Sequence, residues 1–238
     1  ARQAWLIDQY ILRHGRAVFM VDPAAKTAMG DGMFGTSRDH ARSDLGALGK
    51  AWGVTLSEDA VADAANALPV PVDTGNGRME ELAHPLFIGT PASDMNANDL
   101  VTADLTRNVN FGAPGALLAD DLPGGEVFSP LISTGPSPSY IDAGAAVRDM
   151  TPDDVLKSYK TSPQPLVLAA RLSGSLATAF PAGAPALDEP TDPGLAELAR
   201  AEAANAPPHI SRSETDAEIV LIADVDALAD DFYIIPGR

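Results

Sequence analysis

At 238 residues, with no cysteine and a net charge of 16 − 33 = −17, the chain excludes several classes of function before any motif is read. The acidic excess argues against binding nucleic acid or an anionic lipid surface. The missing thiol removes disulfides, thiolate metal sites and cysteine nucleophiles.

An apolar fraction of 45% is ordinary for a globular protein. A chain this long can bury roughly three quarters of its unfolded surface. No apolar run approaches the roughly 20 residues that span a bilayer, and Ala1 opens no signal peptide. Twenty glycines and twenty prolines predict many turns and loops.

The best-organised stretch is Ala4–Pro23. Ala4, Ile7, Tyr10, Ile11 and His14 recur at helical spacing and predict one apolar face. Gly15 stands where a left-handed C-terminal cap is expected, with Arg13, His14 and Arg16 near the negative end of the helix dipole. The run Ala17–Val21 then reads as a central strand covered on both faces, as in a parallel sheet, so that Val18→Asp should unfold the domain. Asp22-Pro23 ends it. No strand precedes this helix, which predicts that the chain is a piece of a longer protein.

Further along, Gly30–Gly35 (GDGMFG) matches G-x-G-x-x-G, but seven residues separate it from the strand, so a surface loop is the better reading. Ala41–Trp52 predicts a helix with Leu45, Leu48 and Trp52 on one face and Gly53 as its stop. His40 and Asp44 stand four apart, a spacing seen in metal pairs and more often in surface pairs or caps. Val54–Ala67 reads equally as a short capped helix or a short strand.

Ala67–Val72 reads as an edge or irregular extended segment because of Pro69 and Pro71, with a turn at Thr74–Gly77. Pro85–Ile88 adds a short apolar stretch, Asn96–Asp99 could cap a helical turn, and Val109–Leu118 reads as extended. Glu126–Ser133 predicts a strand in which Pro130 implies an edge or a bulge, and Tyr140–Asp142 reads as its resumption. Thr151-Pro152-Asp153-Asp154 is a strong helix start. Leu166–Leu172 predicts a strand, Ser173–Asp192 a loop, and Gly194–Ala204 a helix with Leu195, Leu198 and Ala199 on one face.

Glu218–Ala223 predicts the last strand, and like the first it ends at carboxylates, Asp224 and Asp226. Strand ends of this kind line the ligand crevice in doubly wound sheets, which makes Asp22, Asp224 and Asp226 the candidate crevice residues. The structural alternative is that Asp22-Pro23 is a turn and Asp226 an N-cap for Ala227–Asp231. The four histidines carry no H-E-x-x-H spacing, and no nucleophile elbow or P-loop string occurs. The adjacent acid pairs, such as Asp153-Asp154, point apart and read as solvated. No catalytic, cofactor or metal residue is assigned.

Four strings occur in order: IDQYILRHGRAVFMVDP at Ile7–Pro23, SDLGALGKAWGV at Ser43–Val54, LVLAARLSG at Leu166–Gly174 followed by AFP at Ala179–Pro181, and IVLIADVDALAD at Ile219–Asp230. Together they resemble the extracytoplasmic region of the auxiliary component of gliding-motility-type ABC transporters. The resemblance implies membrane helices outside this chain, a place on the periplasmic side of the inner membrane, and an α/β fold similar to flavodoxin or glutamine amidotransferases.

The expected architecture is therefore a single α/β domain over residues 1–238. It would have a mostly parallel central sheet flanked by helices, plus extended segments and long loops. Amidotransferase activity needs a cysteine that is absent. The expected function is a non-enzymatic accessory domain contacting the permease, the ATPase subunits or cargo, with no cofactor. The alternative is an α/β ligand- or sugar-binding domain or hydrolase with a crevice at the strand ends.

Overall fold

The computed structural model describes residues 1–13, 15–25, 42–73, 78–120, 122–148, 150–186 and 191–229. The glycine string at 30–35, the turn at 74–77, His14, His40 and the chain after Ala229 lie outside them.

The chain begins with helix α1 (Arg2–Leu12), strand β1 (Arg16–Met20), helix α2 (Gly46–Trp52) and the short strands β2 (Val54–Leu56) and β3 (Ala60–Ala62). The hairpin partners β4 (Ala67–Asp73) and β5 (Met79–Thr90) follow, then β6 (Val109–Gly112), β7 (Leu117–Ala119), β8 (Val127–Ser133) and β9 (Ser139–Ile141). Helices α3 (Ala143–Ala146) and α4 (Pro152–Ser158) precede β10 (Val167–Gly174), α5 (Pro193–Ala204) and β11 (Ala217–Ile222).

The expected mostly parallel sheet is not what forms. The strands divide into a four-stranded sheet in the order β1-β11-β10-β8, a three-stranded sheet β4-β5-β6, and two two-stranded ribbons, β2-β7 and β3-β9. Within these sheets only β1 and β11 run parallel; the remaining pairs are antiparallel. The reason is visible between the paired strands. Parallel neighbours need a long crossover, whereas most strands here are joined by turns and irregular segments, and β10 and β11 pair antiparallel across the excursion that holds α5.

Three apolar clusters form the interior. One face of the four-stranded sheet, through Ala170, Leu172, Ile219 and Leu221, packs on Ile11 and Leu12 of α1 and on Leu48 and Trp52 of α2. Part of the opposite face meets Met95, Phe111 and Val61. The third cluster joins β3, β5 and β9 to Val155 of α4 and to the α3 alanines.

β11, not β1, is the central strand. Its residues alternate in burial, with Ile219 and Leu221 fully buried. β1 is an edge strand, and Val18 is 65% exposed. A five-residue apolar run cannot reveal which strand of a sheet is interior, because an edge strand still buries one face.

The helix faces also differ from expectation. α1 keeps the helical period but buries Trp5, Asp8, Gln9 and Leu12 along with Ile11, leaving Ile7 and Tyr10 exposed. Two of its buried residues are polar, and each has partners. Asp8 accepts from Thr178 Oγ1 (2.6 Å), the Ala179 N–H (2.9 Å) and Gln9 Nε2 (3.0 Å). Gln9 exchanges hydrogen bonds with the backbone of Ile210 (2.9 and 2.8 Å), and Trp5 Nε1 donates to His209 Nδ1 at 3.2 Å. α1 is thus clasped to the 208–210 segment by side chains that a hydropathy pattern assigns to water. On α5, Leu195 and Leu198 face solvent and Ala196 is the buried residue.

Gly15 is not left-handed: the helix ends at Arg13 (φ −99°), and a Cβ at Gly15 would stand 2.6 Å from the Tyr10 ring. Gly53 does cap α2 in the left-handed region, at φ 68°. Thr151 caps α4, accepting from the Asp154 N–H, and Pro130 lies on edge strand β8 beside a bulge.

Val18→Asp is accordingly expected to fold, with stability changed by no more than about 1 kcal/mol because the position is exposed. Leu221→Asp, which buries an unpaired charge in the central strand, should abolish cooperative unfolding. Circular-dichroism melts of both variants check this; a Val18→Asp chain that fails to fold would return β1 to the interior.

Candidate functional site

The candidate residues Asp22, Asp224 and Asp226 converge, and the sheet register brings the first two together. Met20 pairs with Ile222 in the parallel β1-β11 ladder, so residues two beyond each strand end, Asp22 and Asp224, lie side by side. The carboxylates of all three come within 4.8 Å of one another, and all three are buried.

Each of the first two carboxylates receives backbone donors. Asp22 Oδ1 accepts from the Ala24 N–H (2.7 Å) and Oδ2 from Val225 (3.0 Å). Asp224 Oδ1 accepts from Asp226 (2.6 Å) and Ala227 (3.1 Å), and Oδ2 from Gly112 (2.6 Å). The cap position of the short 3-10 turn Asp226–Leu228 is Val225, and Asp224 holds the turn's first two amides, not Asp226 as the N-cap expectation had it. These five bonds join the ends of β1 and β11 to β6. The next residue after β6, Ala113, holds φ 54° and is fully buried. Such a conformation costs an L-residue about 1 kcal/mol or more, and the Asp224–Gly112 bond anchors the turn next to it.

Burial dominates the electrostatics. It pushes the Asp22 carboxyl up to about 6, with the Asp226 charge adding to the rise; the Ala24 and Val225 N–H groups and a hydrogen bond to Asp224 pull the other way. Asp224 is raised well above the usual carboxylate range, by burial first and the charge of Asp22 second. Among the described residues no Lys, Arg or His forms an ion pair with Asp22 or Asp224. Both shifts run the same way: burial and the neighbouring carboxylates favour the protonated form of this pair.

The three carboxylates could also surround a divalent cation. A calcium ion wants six to eight oxygen ligands, and the oxygens of Asp22 and Asp224 already receive five N–H donors whose dipoles oppose a cation. The donor set fits a proton better.

Other buried acids, which the sequence pattern did not single out, work the same way. Asp63 accepts from the Ala65 (3.0 Å) and Gly135 (2.7 Å) N–H groups and from Asn66 Nδ2 (3.0 Å). Asp99 instead pairs with Arg171 at 2.8 Å, and Arg171 also reaches Glu218 at 3.0 Å. A short-range signal exists for Asp63, since Asn66 follows three residues later. The partners that bury Asp8 and Asp99, Thr178 and Ala179 for the first and Arg171 for the second, lie far along the chain and leave no local signal.

The pH response of the triad carries a definite sign. Asp22 is raised from 3.8 to about 6 on folding, so the native state holds a proton that the unfolded chain releases. Its contribution to stability is fully present below about pH 4 and falls as pH rises to about 6. Asp22→Asn should remove this component. The wild-type-minus-variant difference in unfolding free energy should decline between pH 4 and 7 and be flat above it. A difference that rises over that window would show Asp22 to be ionised in the fold.

A family model described as an ABC-type uncharacterized transport system matches residues 1–237. No curated protein and no solved structure matches the chain. With the match running essentially end to end, the chain belongs to this family of auxiliary components of ABC-type transport systems.

Proposed function

We propose that the chain is a non-enzymatic accessory domain that contacts partner subunits or cargo of its transport system on the extracytoplasmic side of the membrane. The observation that carries this reading is the family match across residues 1–237. Two features support it. The sequence has no cysteine and no P-loop string, so neither thiolate chemistry nor ATP hydrolysis through a P-loop belongs to this chain. The three carboxylates at the strand ends are closed off from solvent, and those of Asp22 and Asp224 are bonded to backbone donors, which suits a fastener of loops.

The crevice reading fares worse on the same evidence. A sugar or hydrolase substrate must reach polar side chains, and the exposures of Asp22, Asp224 and Asp226 are 0%, 0% and 3%. No helix among the described residues is long and apolar enough to cross a membrane.

The test is co-expression of the tagged chain with the permease and ATPase subunits of its transport system. Expected is co-purification of the chain with at least one subunit in detergent, at a fixed ratio that survives washing in about 0.15 M salt. A chain that elutes alone at every subunit concentration would overturn the reading.

A further inference from the structure

Among the described residues, part of one face of the four-stranded sheet is left uncovered. Arg16 and Val18 of β1, Glu218 and Val220 of β11 and Arg171 of β10 form the floor of a groove of about 470 Å³, and the loop Asn98–Val101 forms its wall. The far half of the same face, through Met20 and Ile222, is packed against the second apolar cluster.

The wall is built rigidly. Asp99 is buried and salt-bridged to Arg171, and its Oδ1 accepts from the Val101 N–H at 3.0 Å. Thr102 Oγ1 donates to the Asn96 carbonyl at 2.7 Å, and the Asn96 N–H donates to the Leu131 carbonyl at 2.8 Å. At the top of this braced loop Leu100 is 98% exposed, with Val101 beside it and exposed Val18 across the groove. The backbone that carries Leu100 is fixed by these bonds, so little loop entropy remains to be lost when the exposed leucine meets a partner.

The backbone beside the groove is incomplete in a particular way. The Val21 N–H donates to Ile222 at 2.9 Å, so by strand alternation the N–H and C=O groups of Met20, Val18 and Arg16 point outward, away from β11. Asp22, next in the same phase, exchanges reciprocal bonds with Ser43 at 3.3 and 2.9 Å. A chain therefore already pairs with the outer edge at its end, and then Gly46 turns away into α2. Among the described residues nothing pairs with the edge at Val18 and Arg16. Open edges of this kind accept an added strand.

Charge narrows the occupant. Arg171 is held by Asp99 and Glu218, whereas Arg16 has no ion-pair partner among the described residues. A second copy of a chain carrying −17 would meet strong like-charge repulsion.

We infer that the outer edge of β1 and the adjoining groove receive an extended segment of a transporter subunit, with apolar side chains in alternation over Val18 and Leu100 and a carboxylate opposite Arg16. The inference rests on the proposed accessory role and names where the contact is made.

The experiment uses the co-expressed complex. Leu100→Asp changes a side chain that touches no core. Val18→Pro deletes one outward N–H, which an edge strand tolerates. Each should weaken association with the subunits at least tenfold while its melting transition stays cooperative. Leu198→Asp, on the exposed face of α5, should leave association unchanged. If Val18→Pro does not fold, hydrogen exchange on the wild type replaces it: the Val18 amide should slow at least tenfold in the complex. A photo-crosslinker at position 100 should label a segment with alternating apolar residues and an acid.

Wild-type association that Leu100→Asp leaves intact, with no protection at Val18, overturns the groove assignment alone. Absence of any wild-type association overturns the accessory role and this inference with it. Self-crosslinking of position 100, with a dimer by light scattering, overturns the choice of occupant.

Discussion

A carboxylate buried against backbone N–H groups is the interaction on which this structure depends. Asp8, Asp22, Asp63 and Asp224 are each fully buried, and each accepts at least one main-chain donor far from it in sequence or in an adjoining loop. A fold split into four small sheets has many strand ends and connecting segments, and every buried N–H in them needs an acceptor. Short acidic side chains supply it. Ionised carboxylates make stronger hydrogen bonds than neutral acceptors, and desolvation sets the limit on how many can be charged at once.

That limit is reached at the end of β1 and β11. Parallel register lays Asp22 beside Asp224, and the turn after β11 adds Asp226. Three ionised groups at such separations repel strongly in a dry interior, and retention of a proton is the least costly escape. Where Asp99 is buried instead, a guanidinium compensates it. The two solutions have different consequences. The Arg171 pair fixes a loop at the surface and holds an apolar side chain out in water, while Asp22 and Asp224, bonded to backbone N–H groups, close the interior between β1, β6 and β11.

Much of the local structure was legible from residue patterns. Thr151-Pro152 marked the start of α4, Gly53 the end of α2, Pro130 an edge strand with a bulge, and Pro69 and Pro71 the edge position of β4. Each rests on the short-range chemistry of one or two residues, which the surroundings rarely override. The acids at the strand ends were also visible as candidates. Their meeting was not, since it depends on β1 and β11 being parallel neighbours in one register.

The sequence by itself determined the places of α1, α2, α4 and α5 and of β1, β8, β10 and β11, the exclusion of thiol and P-loop chemistry, and the family to which the chain belongs. Tertiary structure alone decided that β11 rather than β1 is central, that α1 turns Asp8 and Gln9 inward, and that the sheets are mainly antiparallel. The physical reason is common to all three. Burial belongs to a residue's neighbours in space, and a polar side chain goes inside whenever the fold brings it enough donors and acceptors. Asp8 finds Thr178 and Ala179, and Gln9 finds Ile210. No periodicity within eleven residues of helix can report partners about 170 to 200 positions away.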